Sequence, residues 1–347
     1  MKKHKINYFS TFMIFMTSLL ISCNTTIDQS LPLQQSNKKD CRIIEHKMGK
    51  TEICGQPERI VVLGPYLLES LLALNVQPIA YADHIGFHQR DYDRPTEQIP
   101  YLGKYINQSI ANVGVAYMPS MEAIFKTKPD LILSLDDNQE HYQTLSRFAP
   151  ILMFSWNEPN ENLKKIAQAV NRKESAEKIL EETAKKIAKA KDELAKTITD
   201  YPDILLLYAQ DLQELFINNN RGLCSSLVKE LGFNLITISP SEASSNQRIP
   251  LSLEVLPQLN AAYSIIILGY DFQEPSEFKN AQEFNEYQLS NLQQQWLKNP
   301  ITQSMGASQA DRVYYVPAYL CIGLPGSIST ELYLNELKKQ LLTHQKS

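Results

Sequence analysis

The chain has 347 residues, room for about two domains. Hydrophobic residues make up 43% and charged residues 21%, which excludes disordered and fibrous classes and leaves enough apolar mass for large cores without staples. A net charge of −4 with no basic run excludes nucleic acid as the expected partner, and a surplus of Tyr (17) over Phe (12) suits wet binding surfaces.

Residues 1–22 read as an export signal. Lys2, Lys3 and Lys5 precede an apolar stretch from Phe9 to Ile21, too short and too interrupted by Ser and Thr for a stable span. Leu20-Ile21-Ser22-Cys23 is similar to the bacterial lipobox, in which the cysteine is acylated; an ordinary secretory signal is the alternative. Acyl chains on Cys23 would anchor the chain durably to a membrane. Asn24 to Asp40 is polar and reads as a tether. The expected location is therefore the periplasm or cell surface.

Four further cysteines allow three disulfide connectivities. Cys41 and Cys54 flank a stretch centred on Met48-Gly49-Lys50, a hairpin turn, and are paired on that ground. Cys224 and Cys321 remain as the second pair, buried free thiols being the alternative.

Arg59–Gly64 reads as a buried strand, Leu67–Leu74 as a helix and Pro78–Ala82 as a strand. Pro119–Lys126 opens a short helix, followed by strands at Asp130–Leu135 and Ile151–Ser155. Helices follow at Asn160–Val170 and Glu174–Thr199; the latter, free of Gly and Pro, would be about 39 Å long. Ile179, Leu180, Ile187, Ala190, Leu194 and Ile198 mark its apolar face, and they miss a sustained heptad, so a strut between lobes fits better than a coiled coil.

The second half repeats the scheme: strands at Asp203–Ala209, Leu235–Ile238 and Ser264–Gly269, with helices at Ser225–Leu231 and Leu251–Leu259. Gln-rich 282–295 reads as an exposed helical segment, with Trp296 as its anchor. Two local matches indicate duplication. Ser120-Met121-Glu122-Ala123-Ile124 parallels Ser252-Leu253-Glu254-Val255-Leu256, and Leu71–Ile79 parallels Val228–Ile236. The expected fold is α/β: two similar lobes with mostly parallel sheets, joined by one long α-helix.

No phosphate-binding glycine loop, zinc cysteine pairs, HExxH or nucleophile-elbow serine occurs. His84 and His88, with Asp91 and Asp93 behind them, bracket Gly86 and read as a solvated loop, so no metal site is assigned.

The run Pro57–Leu63 with Glu69–Leu74 resembles the opening of iron-siderophore substrate-binding proteins of bacterial ABC importers. Pro119–Leu133, Val313–Pro317 and Gly323–Gly326 are similar to later segments of that family. The resemblance implies a lipid-anchored receptor that binds a ferric siderophore in the cleft between the two lobes and delivers it to an ABC permease, and a monomer is expected. It implies no catalysis, and no cofactor beyond the iron in the ligand. It also implies that Glu122 and Glu254, one per lobe, dock the permease. A cobalamin or haem receptor is the alternative, and an enzyme on the same fold the rival from another class.

Ligand residues are expected on loops after strands, where Arg meets chelate oxygens and Tyr or Trp stacks on flat groups. By placement these are Tyr66, Tyr101, Tyr105, Trp156, Arg221, Arg248, Tyr270 and Tyr319. The domain boundaries read from the chain are a signal at 1–22, tether and hairpin at 23–56, a first lobe at 57–171, the connecting helix at 172–200 and a second lobe at 201–347.

Overall fold

The computed structural model describes residues 40–86, 90–218, 222–237, 249–259, 264–270 and 281–343. Among them no helix is long and apolar enough to cross a membrane.

A hairpin opens the described chain: β1 (Cys41–His46) and β2 (Gly49–Cys54), antiparallel and closed by a disulfide between the facing Cys41 and Cys54. Its turn is Lys47–Met48, one residue earlier than the Met48-Gly49-Lys50 centre.

The first sheet has six strands in the order β6-β5-β4-β3-β7-β8. They are β3 (Ile60–Leu63), β4 (Ala80–Asp83), β5 (Ala111–Val115), β6 (Met118–Pro119), β7 (Leu131–Leu135) and β8 (Ile151–Phe154). All pairings are parallel except β5 with β6. β3, β4, β7 and β8 are buried throughout, as unbroken apolar runs in a sheet covered on both faces should be. The hairpin lies beside β8: the Lys47 N–H donates to Met153 O at 2.9 Å and the Thr51 hydroxyl to Ile151 O at 3.0 Å. It thus covers an edge that would otherwise invite another strand.

The second sheet runs β12-β10-β9-β13-β14, with β11 also paired to β9. Its strands are β9 (Asp203–Ala209), β10 (Leu215–Ile217), β11 (Asn234–Leu235), β12 (Ile249–Leu251), β13 (Ser264–Gly269) and β14 (Val313–Pro317). β9, β11, β13 and β14 are parallel, while β10 folds back antiparallel on β9. On the outer strand β14, the Gln340 side chain accepts from the Tyr315 N–H at 3.0 Å and donates to its carbonyl at 2.7 Å. One amide there replaces a neighbouring strand.

Between the sheets runs the helix Lys173–Asp200. Its Ile179 and Leu180 pack against the first lobe's core, and Ile187, Ala190, Leu194 and Ile198 against the second's. One apolar face therefore serves two cores, which makes the helix a strut.

The duplication is physical. After the helix Pro65–Ala73, Asn75 takes φ 56°, and after the helix Gly222–Leu231, Gly232 takes φ 107°. The Val76 N–H bonds Leu71 O at 3.2 Å, and the Phe233 N–H bonds Val228 O at 3.3 Å. Both are left-handed helix stops, and both chains then enter a parallel strand. The Ile79 N–H meets Ile60 O and the Ile236 N–H meets Ile204 O, each at 2.9 Å.

Four expectations need correction. Leu251–Leu259 is not a helix: Leu251 ends β12, and a single 3₁₀ turn covers Leu256–Leu259. Pro257 sits inside that turn and has no N–H to donate back to Leu253, so an α-helical ladder cannot run through it. The strand at Leu235–Ile238 is only Asn234–Leu235, and residue 238 lies outside the described residues. The Gln-rich segment is the helix Ala281–Lys298, exposed on one face only, because Phe284, Leu292 and Trp296 are buried. His84 does not sit in a solvated loop, as described below; His88 lies outside the described residues.

Candidate functional site

The carboxyl ends of the two sheets face each other. Tyr319, two residues beyond β14, is fully buried, and its hydroxyl donates to Asp83, the last residue of β4, at 3.3 Å. Tyr101 stacks on the Tyr319 ring at 5.7 Å, His84 lies at 5.0 Å and Phe284 meets it edge-on at 5.4 Å. A residue of the second lobe thus packs against Asp83, His84 and Tyr101 of the first. Removal from water pushes the His84 imidazole down to about 4, so it is neutral at pH 7.

Tyr101 holds φ 59°, a left-handed conformation unusual for a bulky side chain. Its hydroxyl is buried without a hydrogen-bond partner among the described residues. Strain and an unmet hydroxyl at one residue mark a place where conformation serves something other than stability.

A second aromatic pair lies at the ends of β3 and β8. Tyr66, in the first turn of the helix Pro65–Ala73, is buried, and its hydroxyl accepts from Asn162 Nδ2 at 2.7 Å. Trp156 stands edge-on to it at 5.6 Å, and its indole N–H donates to Asp137 Oδ2 at 3.0 Å. In the second lobe Tyr270 follows β13 and stacks on Tyr208 of β9 at 3.9 Å.

Of the residues expected at the site, Tyr101 joins Tyr319 and Tyr66 joins Trp156, while Tyr270 lies at the strand ends of its own lobe. Tyr105 does not join them. It is 40% exposed, and its carbonyl accepts from Gln77, which precedes β4 at the opposite end of the sheet. Arg221, Arg248 and Cys23 lie outside the described residues. Asp83, Tyr208, Asp137 and Asn162 were missed. Asp83 follows an apolar strand run directly, and that position was the available signal.

The lobes are also joined by Glu69. Its carboxylate accepts from the Gly326 N–H at 2.8 Å, the Ser329 N–H at 2.6 Å and the Ser329 hydroxyl at 2.7 Å. A first-lobe side chain thereby caps the C-terminal helix Ser327–Thr343, whose orphan N–H groups favour an anion. Burial nonetheless raises the Glu69 carboxyl above its usual range.

The chain matches the family of periplasmic binding proteins over residues 60–320. It belongs to that family. Among curated relatives, the Bacillus subtilis protein YfiY, named a probable siderophore-binding lipoprotein, is 24% identical over 92% of this chain and 94% of its own length. The Fe(3+)-citrate-binding protein YfmC of the same organism is 26% identical over 71% of this chain and 75% of its own. Among solved structures, Staphylococcus aureus SirA complexed with staphyloferrin B superposes with a TM-score of 0.69 at 21% identity. The match spans 87% of this chain and 98% of SirA. That likeness is one of fold.

In this binding protein, Glu122 lies in the first turn of the helix Met121–Lys126, capped by Ser120, with its side chain 78% exposed. Lys126 pairs with it at 2.6 Å and lowers its pKa. Glu254 is exposed in the turn after β12. Each acid follows the outermost strand of its own sheet, β6 or β12.

Asp83 carries a pH signature. Burial raises its pKa from 3.8 to about 6, against hydrogen bonds that lower it. A raised carboxyl favours the folded state below the unfolded pKa, and that stability is lost as pH climbs through about 6. Asp83→Asn keeps an acceptor for Tyr319 and removes the charge. It is expected to match the parent at pH 4 and to exceed it at neutral pH by up to about 3 kcal/mol. Urea unfolding at both pH values checks this; a gap that does not grow with pH counts against it.

Proposed function

We propose that this chain is a lipid-anchored receptor that binds a ferric siderophore between its lobes and presents it to an ABC-type import permease. The observation that carries the reading is the meeting of two carboxyl strand ends, where the half-buried Trp156 packs on the buried Tyr66 and Tyr101 on the buried Tyr319, in a periplasmic binding protein. Ligands of open α/β sheets bind outside the carboxyl ends of the strands, and paired aromatic faces suit a flat or apolar chelate. The receptor needs no catalytic step. A ligand touching both lobes stabilises one arrangement of them, and the permease recognises that arrangement.

In this reading Cys23 carries the lipid, and the protein works as a monomer at the outer face of a membrane. The lobes are 57–171 and 201–347, with 172–200 between them. Glu122 and Glu254 report the spacing of the lobes to the permease. Trp156 and Tyr101 face the ligand with the buried Tyr66, Tyr270 and Tyr319 packed behind them, and Arg221 and Arg248, which lie outside the described residues, are assigned to the ligand from the sequence.

The two tryptophans separate the test cleanly. Trp296 is 1% exposed in the core, bonded to the Ser308 hydroxyl at 3.1 Å, whereas Trp156 is half-buried at the strand ends. A ferric chelate bound in the cleft is expected to quench Trp156 saturably, and Trp156→Phe is expected to abolish most of that quench. Fluorescence titration with ferric chelates, cobalamin, haem and free divalent metals reads both. Saturation by none of the iron chelates, confirmed by calorimetry, overturns the reading.

A further inference from the structure

Cys224, in the helix Gly222–Leu231, forms a disulfide with Cys321, 97 residues further along the chain, and both residues are fully buried. Cys321 stands two residues after Tyr319 and five before Gly326. By chain order the segment from Tyr319 to Ser329 belongs to the second lobe, yet it meets the first lobe repeatedly. The Tyr319 hydroxyl donates to Asp83, and its ring packs on His84 and Tyr101. The Gly323 backbone lies against His84, since a Cβ there would stand 3.0 Å from the imidazole Cε1. Gly326 and Ser329 donate their N–H groups to Glu69. The segment is a strap laid on the first lobe and tied to the second by one covalent bond near its start.

Both sides of that tie are stiff. The Tyr333 hydroxyl of the C-terminal helix donates to the Cys224 carbonyl at 3.3 Å. Gly222, which opens the Cys224 helix, takes φ 67°, and a Cβ there would stand 3.3 Å from the Cys321 carbonyl oxygen. On the strap, the Cys321 and Ile322 N–H groups bond to the Ala318 carbonyl at 3.2 and 2.8 Å, and the Gly323 N–H to the Tyr319 carbonyl at 3.1 Å. A shift of Cys321 therefore reaches Tyr319 within one turn of chain.

The aromatic contact at Tyr319 needs such support. Its bond to Asp83 is 3.3 Å long, burial raises the Asp83 carboxyl, and Tyr101 holds φ 59° with a buried hydroxyl that has no partner among the described residues. Groups in strained or weakly bonded positions keep their geometry only where the surroundings over-determine it. A site assembled in advance binds more tightly, because the ligand does not have to order it.

We infer that Cys224 and Cys321 are positioning residues for ligand binding: their disulfide holds the Tyr319–Ser329 strap so that Tyr319, and Tyr101 against it, stand in place before the ligand arrives. This rests on the receptor reading above. The Cys41–Cys54 disulfide has no such duty, since it closes an exposed hairpin beside β8.

The test sets the parent protein beside Cys224→Ala with Cys321→Ala, and beside Cys41→Ala with Cys54→Ala as the control for losing a disulfide elsewhere. Each is titrated with ferrioxamine B, ferric enterobactin and ferric citrate, read by Trp156 quenching. For a chelate that saturates the parent, Kd is expected to rise about 10-fold in the first variant, as the assembled site falls to about a tenth of the population. The quench at saturation stays the same, because bound ligand restores the site. In the control Kd stays within about twofold of the parent. Hydrogen exchange without ligand reads the strap itself: the Gly326 and Ser329 amides are expected to exchange about 10-fold faster in the first variant and at the parent rate in the control. Gly323→Ala keeps both disulfides and pushes the strap off His84. It is expected to weaken the same chelate several-fold, and it decides the matter if the first variant does not fold. An unchanged Kd, equal weakening in both disulfide variants, or unchanged exchange at Gly326 and Ser329 overturns the positioning role and leaves the receptor reading standing. Silence of the parent toward all three chelates overturns the receptor reading, and this inference with it.

Discussion

Replacing Glu122 and Glu254 together by alanine is expected to collapse uptake of the iron chelate while its affinity for the receptor stays unchanged. Both acids are exposed, and each follows the outermost strand of its own sheet. Their separation therefore depends on how the two lobes stand. Charges placed in this way steer docking and fix its register. The Lys126 partner of Glu122 is an exposed i,i+4 pair, which contributes little to folding. Stability should accordingly be unaffected, and uptake at limiting chelate should fall more than ~10-fold, with each single variant intermediate. Cell uptake of a radioiron chelate, set beside titration of the purified variant, decides the matter. Normal uptake by the double variant would sink the docking role, and lost affinity would relocate it to the ligand site.

The second large effect is on stability. Glu69→Ala is expected to cost about 3 kcal/mol, since it strips the Gly326 and Ser329 N–H groups and the Ser329 hydroxyl of their shared acceptor. Glu69→Gln keeps an acceptor oxygen and should recover part of the loss. It also avoids the desolvation that raises the Glu69 carboxyl. Gly326→Ala tests the same contact from the other side: a Cβ there would stand 2.7 Å from the Glu69 carboxyl group. Urea midpoints for the three variants check the set, and a loss under ~1 kcal/mol for Glu69→Ala would count against the clasp.

Much of the fold was legible because the chain signals it locally. Asp203–Ala209 and Ser264–Gly269 were read to the residue, since a buried parallel strand is an unbroken apolar run with polar ends. The helix Lys173–Asp200 showed itself through length and the lack of Gly and Pro. β5, β6, β10, β12 and β14 were not read as strands: β5 is interrupted by Asn112 and Gly114, β14 was read only as a family-like segment, and β6, β10 and β12 have two or three residues each, too few to display a period. Their pairing is decided by the neighbouring strands. Pro257 turned an apparent helix into one 3₁₀ turn, a case of a local breaker outweighing apolar spacing.

The site was legible in part. Placement after strands located Tyr66, Trp156, Tyr270 and Tyr319 at carboxyl ends, because chain order along a parallel strand fixes which end a loop occupies. It failed for Tyr105, where a long connection between β4 and β5 returns to the far end of the sheet. It also missed Asp83 and His84, whose role depends on a partner 236 residues away in the chain.

The sequence by itself determined the two-lobed α/β plan, the strut, the duplicated units and the family, since each is written in local period, breakers and motif spacing. Only the tertiary structure decided what the motifs touch. Glu69 and Gly326 belong to two separate segments that resemble the family, and the fold makes them the two sides of one buried contact. Likewise Tyr319 is one tyrosine among 17 until packing sets it against Asp83 and Tyr101. The physical reason is range. Backbone preference and hydrophobic period act over a few residues, whereas a buried carboxylate's partners are chosen by whichever donors the closed chain brings within hydrogen-bond distance.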